Sequence, residues 1–141
     1  MNMKVEKYYH RGEGYNPFLI RERWQVAQLN HVVNHGFEDL LDMERHQSTD
    51  EVFILFKGTA VILTAEMNEG ETKFEYVKLD CGVTYNVPAG VWHNIAMSDD
   101  AQIILVENSN THLYDVEHRT LSEVQLSTIT QQLLLLLGEE R

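Results

Sequence analysis

Two short stretches of the sequence carry the side chains best placed to do chemistry. The first runs from Cys81 to Asn94 and holds His93 just past the corner Pro88-Ala89-Gly90. Pro88 fixes its own φ and keeps Val87 extended, while Gly90 permits a turn where a Cβ would clash. Stiff backbone on both sides is the setting expected of a metal-ligating or acid/base imidazole. The second stretch lies upstream, where Glu44, His46 and Glu51 lead into the apolar run Val52 to Phe56. With Met43 to His46 extended, Glu44 and His46 project from one face, because side chains alternate along a strand.

The elements around these residues read as strands. Val83, Tyr85 and Val87 alternate with Thr84 and Asn86, the period of a half-buried strand. Glu51 to Lys57 and Thr59 to Ala65 form an antiparallel pair joined at Lys57-Gly58. Met67-Asn68-Glu69-Gly70-Glu71 supplies a second hairpin connection before a returning strand, Phe74 to Leu79. Trp92 to Met97 continues past the corner, Ser98-Asp99-Asp100 turns, and Gln102 to Asn108 is strongly apolar. Trp24 to Val33 is extended, with Trp24, Val26 and Gln28 on one face and Ala27 and Leu29 on the other. The period of Phe37 to Glu44 fits either a strand or a short helical turn. Many short strands with frequent turns point to an all-β sandwich or barrel.

The spacing of both stretches resembles the cupin superfamily, the RmlC-like jelly roll. That family's first motif has two histidines, one residue apart, followed by a glutamate and a glycine. Here it reads His46, four residues, Glu51, six residues, Gly58, with Glu44 standing where the leading histidine belongs. The second motif reads Gly82, five residues, Pro88-Ala89-Gly90, two residues, His93, with Met97 in place of the closing asparagine. The resemblance implies a double-stranded β-helix, the cupin jelly roll, with a short C-terminal helix. It also implies a metal set of Glu44, His46, Glu51 and His93 holding a divalent ion, Fe, Mn, Ni or Zn, inside the barrel. Two histidines and a carboxylate match a facial triad with open positions. Glu44 either adds a fourth, anionic ligand or weakens the site, and a metal-free polar pocket is the alternative.

At 141 residues the chain makes one domain with enough length for a single core. The expected organisation is an N-terminal arm over 1–20, a barrel over 21–115 and a helical tail over 116–141. Tyr8, Tyr9, Tyr15 and Phe18, interrupted by Gly12, Gly14 and Pro17, suit an arm lying over the domain or a partner subunit. In the tail, Thr120-Leu121-Ser122-Glu123 reads as a capping box. It opens a helical stripe of Leu121, Val124, Ile129, Leu133 and Leu136 or Leu137. The run Leu133 to Leu137 is more apolar than one face needs, so the tail is expected to pack on the barrel and on a second copy in a homodimer.

Composition narrows the partners. Acidic residues number 22 against 11 basic ones, for a net charge of −11, which argues against nucleic acid and anionic membranes. No run approaches a membrane span. The single cysteine, Cys81, forms no intramolecular disulfide and is expected to be a small buried residue. A cytoplasmic location fits that cysteine usage. His31 and His35 are set aside as ligands, since most histidines serve the surface or packing. Tyr85 and Trp92 are expected in the core and Lys57 and Lys78 in solvent. The resulting expectation is a small-molecule cupin, metal-assisted. The alternatives are a metal-free cupin similar to sugar-nucleotide ketoisomerases, or a non-catalytic metabolite-binding protein.

Overall fold

The structure is a computed structural model that describes residues 4–68 and 70–138. In chain order it contains β1 (Gly14–Ile20), β2 (Trp24–Asn30), β3 (Asp42–Arg45), β4 (Glu51–Lys57), β5 (Ala60–Asn68) and β6 (Glu71–Lys78). These are followed by β7 (Thr84–Val87), β8 (Trp92–Met97), β9 (Gln102–Asn108), α1 (Thr111–Tyr114), β10 (Glu117–Thr120) and α2 (Glu123–Gly138). The strands form two antiparallel five-stranded sheets, ordered β1-β2-β9-β4-β7 and β10-β3-β8-β5-β6. Alternation explains the layering. Ala27, Leu29, Phe53, Leu55, Ile103 and Leu105 face inward from the first sheet and meet Ile62, Ile95 and Met97 of the second.

The centre of the second sheet is buried on both faces, as the unbroken burial of β8 shows. Its outer side chains Val61, Leu63, Ala96 and Trp92 pack under Leu121, Ile129 and Leu133 of the C-terminal region. Helix α2 starts at a reciprocal cap two residues later than the sequence expectation. The Gln125 N–H donates to Ser122 Oγ at 3.1 Å and the Ser122 N–H donates to Gln125 Oε1 at 2.9 Å. Glutamine serves as well as glutamate at this position, so Ser122, not Thr120, is the cap. The shift rotates Val124 out to solvent, 77% exposed, in place of the expected burial. Leu134 and Leu135 are also exposed, so a single chain buries only one face of the leucine run.

The expected boundaries shift at both ends. Residues 14–20 are a strand of the first sheet, not part of an arm. Gly14 adopts φ +77° where the chain enters it, and Pro17 is accommodated because β1 is an edge strand whose register shifts between Asn16 and Leu19. Only the residues before β1 behave as an arm. The His10 and Gly12 carbonyls accept hydrogen bonds from the Gln28 and Asn30 side-chain amides on the outer side of the sheet. At the other end, β10 belongs to the second sheet, so the tail at 116 begins with a strand. Cys81 is exposed, because it lies in the turn ahead of β7 instead of inside a strand. Among the described residues no helix is long and apolar enough to cross a membrane.

Candidate functional site

One end of the barrel gathers the ionisable side chains. Glu44 near the end of β3 lies directly across from His93 in β8, and His46 follows β3 immediately. Glu51 opens β4 on the inward parity shared with Phe53 and Leu55. The two sequence stretches are tied together by backbone. The Gly90 N–H donates to the His46 carbonyl at 2.7 Å, and the Ala89 N–H donates to Asp50 Oδ1 at 2.9 Å. Gly90 adopts φ +85°, so the corner has the left-handed geometry that glycine favours. The corner therefore sets the position of His46 as well as that of His93.

Glu44, His46, Glu51 and His93 each present one ligand atom, and these four atoms lie within 4.8 Å of one another. Glu51 Oε1 is 2.8 Å from His93 Nε2 and 3.5 Å from His46 Nε2. Glu44 Oε1 is 3.9 Å from His93 Nε2. Each imidazole uses its other nitrogen on backbone. His46 Nδ1 lies 2.6 Å from the Asp115 carbonyl, and His93 Nδ1 lies 2.9 Å from the Val91 carbonyl. A carbonyl only accepts, so both Nδ1 atoms carry protons and both Nε2 atoms point into the cluster. The cluster borders a cavity of about 270 Å³ whose walls include Phe53, Ile95 and Leu105.

The charges are strongly coupled. Burial opposes ionisation of Glu51, but the neighbouring His46 and the hydrogen-bonded His93 outweigh it and hold its carboxyl down at about 2. Burial likewise works against a charged His46, yet the Glu51 carboxylate beside it pushes it up to about 9. His93 is raised by the same balance. Glu44 is raised, first by burial and then by the charge of Glu51. In the metal-free protein these shifts favour the charged form of Glu51 and the protonated forms of His46 and His93, and the neutral form of Glu44.

Three further participants have no counterpart in the sequence reading. Glu107 at the end of β9 is buried and lines the same cavity. Its Oε1 accepts from the Tyr15 hydroxyl at 2.7 Å and from Gln25 Nε2 at 3.1 Å, while its buried Oε2 has no partner and lies 3.9 Å from His46 Nε2. Burial, then the charge of Glu51, pushes Glu107 up to about 7. The signal was present in the strand pattern, since Glu107 shares the inward parity of Ile103 and Leu105. Gln25 stands likewise on the parity of Ala27 and Leu29. Tyr15 was assigned to the arm and instead reaches the cavity from β1.

The remaining candidates fall elsewhere. His31 lies 3.5 Å from Asp99, away from the cluster, and His35 lines the cavity wall with Nδ1 2.9 Å from the Ile95 carbonyl. Trp92 is buried outside the barrel, with the guanidiniums of Arg45 and Arg119 over its ring. The Tyr85 ring packs partly against the inner core, and its hydroxyl accepts from the Asp80 N–H. Lys57 is exposed.

No family model matches the sequence, and no curated protein matches it. Solved structures match the fold. PAC13 of Streptomyces, solved with uridine, is 15% identical with a TM-score of 0.57, covering 86% of this chain and 97% of that one. Protein NMB1881 from Neisseria meningitidis is 19% identical with a TM-score of 0.50, covering 70% and 89%. A cupin-2 domain protein from Shewanella frigidimarina is 20% identical with a TM-score of 0.49, covering 71% and 84%. The two five-stranded sheets with the site at one end define a jelly roll of the cupin type. The chain is a small cupin in fold, built on one barrel and a C-terminal helix.

Proposed function

We propose that the protein is a small-molecule cupin that holds a divalent metal on Glu44, His46, Glu51 and His93. The observation that carries this reading is the orientation of the two rings. Both Nδ1 protons are committed to carbonyls, so a neutral imidazole turns a bare Nε2 lone pair toward a carboxylate oxygen as near as 2.8 Å. Two acceptors at that distance require either extra protons or a cation between them. The donor set fits a cation. Two imidazoles and two carboxylates suit Fe, Mn, Ni or Zn, and His46 Nε2 is buried without a hydrogen-bond partner.

Such an ion supplies Lewis acidity toward a carbonyl or hydroxyl oxygen. The chain supplies the rest. Asp115 and Val91 carbonyls orient the rings, Phe53 and Leu105 limit water, and Glu107 presents an unpaired oxygen to anything in the cavity. No lysine or arginine lines this cavity among the described residues. A diphosphate would find no permanent cation there, which weighs against a sugar-nucleotide substrate and favours a small ligand with hydrogen-bond donors.

A metal-free acid/base pocket is the second reading, favoured by the direct 2.8 Å contact of His93 with Glu51. Thermal shifts with manganese, iron(II), nickel and zinc decide between them. A metal that binds only the folded state stabilises it by about 2.7 kcal/mol at a hundredfold excess over its dissociation constant. His93→Ala is expected to abolish most of that gain. Equal responses of wild type and variant to every metal would leave the metal-free pocket as the surviving reading.

A further inference from the structure

Three carboxylates line the cavity, and Glu107 is the one outside the metal set. The residue is only 6% exposed, yet the chain holds its carboxylate by one oxygen alone. Oε1 accepts from the Tyr15 hydroxyl at 2.7 Å and from Gln25 Nε2 at 3.1 Å. Oε2 is buried, meets no donor and lies 3.9 Å from His46 Nε2. A buried carboxylate oxygen without a donor is costly to the fold, and a ligand that brings the donor removes that cost. The grip on Oε1 is set by backbone. The Asn110 N–H donates to Gln25 Oε1 at 2.8 Å, so the Gln25 amide cannot turn over and its Nε2 must face Glu107, the Tyr15 hydroxyl and His112 Nδ1. Oε2 is thereby the side left for a ligand.

We infer that Glu107 selects the ligand of this cavity, its Oε2 accepting from a hydroxyl of a small uncharged molecule whose adjacent carbonyl faces the metal set. The carbonyl, and a hydroxyl in place of an ammonium beside a cation, rest on the metal reading above; the acceptor role of Glu107 does not. Adjacency follows from distance, since Oε2 and a ring nitrogen of the set are 3.9 Å apart, a span that groups on neighbouring carbons serve. Charge rules out an anion. No lysine or arginine lines the cavity among the described residues, and three carboxylates outweigh the charge of one divalent ion. Size limits the rest. A cavity of about 270 Å³ falls below the roughly 300 Å³ at which sites for drug-sized ligands begin. Phe53, Ile95 and Leu105 offer apolar wall to a short carbon frame. The class is therefore an α-hydroxy ketone or aldehyde of a few carbons, with Tyr15 and Gln25 as the positioning residues.

Glu107→Gln tests this, because the same donors orient the new amide. Tyr15 and Gln25 both donate, so the amide oxygen takes the place of Oε1 and the NH2 takes the place of Oε2, turning an acceptor into a donor. The probes are hydroxyacetone and methoxyacetone, uncharged ketones whose neighbouring oxygen can donate only in the first. Zinc-loaded protein is titrated with each by NMR at pH 8, above the value of about 7 to which burial raises Glu107. Wild type is expected to bind hydroxyacetone at least about tenfold more tightly than methoxyacetone. Glu107→Gln is expected to lose or reverse that preference with its zinc content unchanged. Tyr15→Phe keeps the ring in β1 and removes one donor from Oε1, so it folds even if the first variant does not, and should reduce the preference about threefold.

Wild type that shows no saturation by hydroxyacetone below about 100 mM, the weak limit for so small a ligand, would overturn the inference. So would a preference that survives Glu107→Gln, or that survives Tyr15→Phe where Glu107→Gln does not fold. Loss of zinc from Glu107→Gln would overturn it too, by making Glu107 a metal ligand. Wild type that takes up no zinc fails the metal reading instead. The same titrations on that protein still decide the role of Glu107: a hydroxyacetone preference abolished by Glu107→Gln upholds it, and equal binding of the two probes overturns it.

Discussion

Glu51→Gln separates the charge of the central carboxylate from its shape. In the metal-free wild type, His46 rises from 6.5 to about 9, because the Glu51 carboxylate beside it outweighs the burial that opposes ionisation. A group raised on folding holds its proton more tightly in the folded state. Its contribution is therefore complete below 6.5 and is lost as pH rises through about 9. At about 1.4 kcal/mol per pH unit that rise corresponds to about 3 kcal/mol. This is an upper limit, since the same contact also stabilises Glu51. The substitution removes the anion and leaves only the backbone carbonyls and Glu44 to oppose burial, so both imidazoles fall and the loss of stability above neutrality shrinks. Nitrogen-detected NMR titration of the rings, with denaturant unfolding at pH 6 and pH 9 on chelator-treated protein, reads both effects. Ring midpoints near 6.5 in wild type, or midpoints that the substitution does not move, would refute the coupling. Metal-loaded protein is expected to show the opposite slope, because protons compete with the ion for each Nε2.

Three further outcomes follow from particular contacts. Gly90→Ala meets no atom within 4 Å and pays only for its φ of +85°, about 1 kcal/mol, whereas Gly58→Ala also drives a Cβ to 2.6 Å from the Ala101 backbone and should cost at least twice as much. Melting temperatures order the two, and equal losses would count against the close approach of Ala101. Glu107 is raised on folding, so metal-free wild type loses stability between pH 4.5 and about 7 as this group ionises; Glu107→Gln should lack that component in unfolding curves at pH 5 and pH 8. Ser122→Ala removes the Oγ acceptor of the α2 cap and should cost about 1 kcal/mol, while Thr120→Ala, outside the cap, should cost less.

Local chemistry made part of this molecule legible in its sequence. Gly58 and Gly90 both adopt the positive φ that their turns demanded, and Pro88 with Gly90 forms the corner that places His93. Strand periodicity pointed to an all-β sandwich or barrel, and the family resemblance carried by His46, Glu51 and His93 implied the jelly roll. What sequence periodicity missed depends on distant pairing. Tyr15 meets Glu107 because β1 pairs with β2 and β2 with β9, a contact across 92 residues. Glu107 and Gln25 were detectable only as polar residues on the buried parity of apolar strands. The α2 cap was misplaced because Thr120 and Ser122 offer similar hydroxyls two residues apart, and β10 claims the first of them. Cys81 was assigned inward from its residue type, although its turn leaves it in solvent.

The central claim is that Glu44, His46, Glu51 and His93 hold a divalent ion, and metal stoichiometry tests it most directly. Tag-free protein would be purified without added metal, and again after incubation with manganese, iron(II), nickel or zinc and removal of the excess, then measured by elemental analysis. The account predicts about one equivalent of one of these metals per chain in wild type, released on acidification as the imidazoles protonate, and next to none in His93→Ala. Wild type that retains no metal from any of the incubations, or a His93→Ala variant that retains as much as wild type, would contradict it.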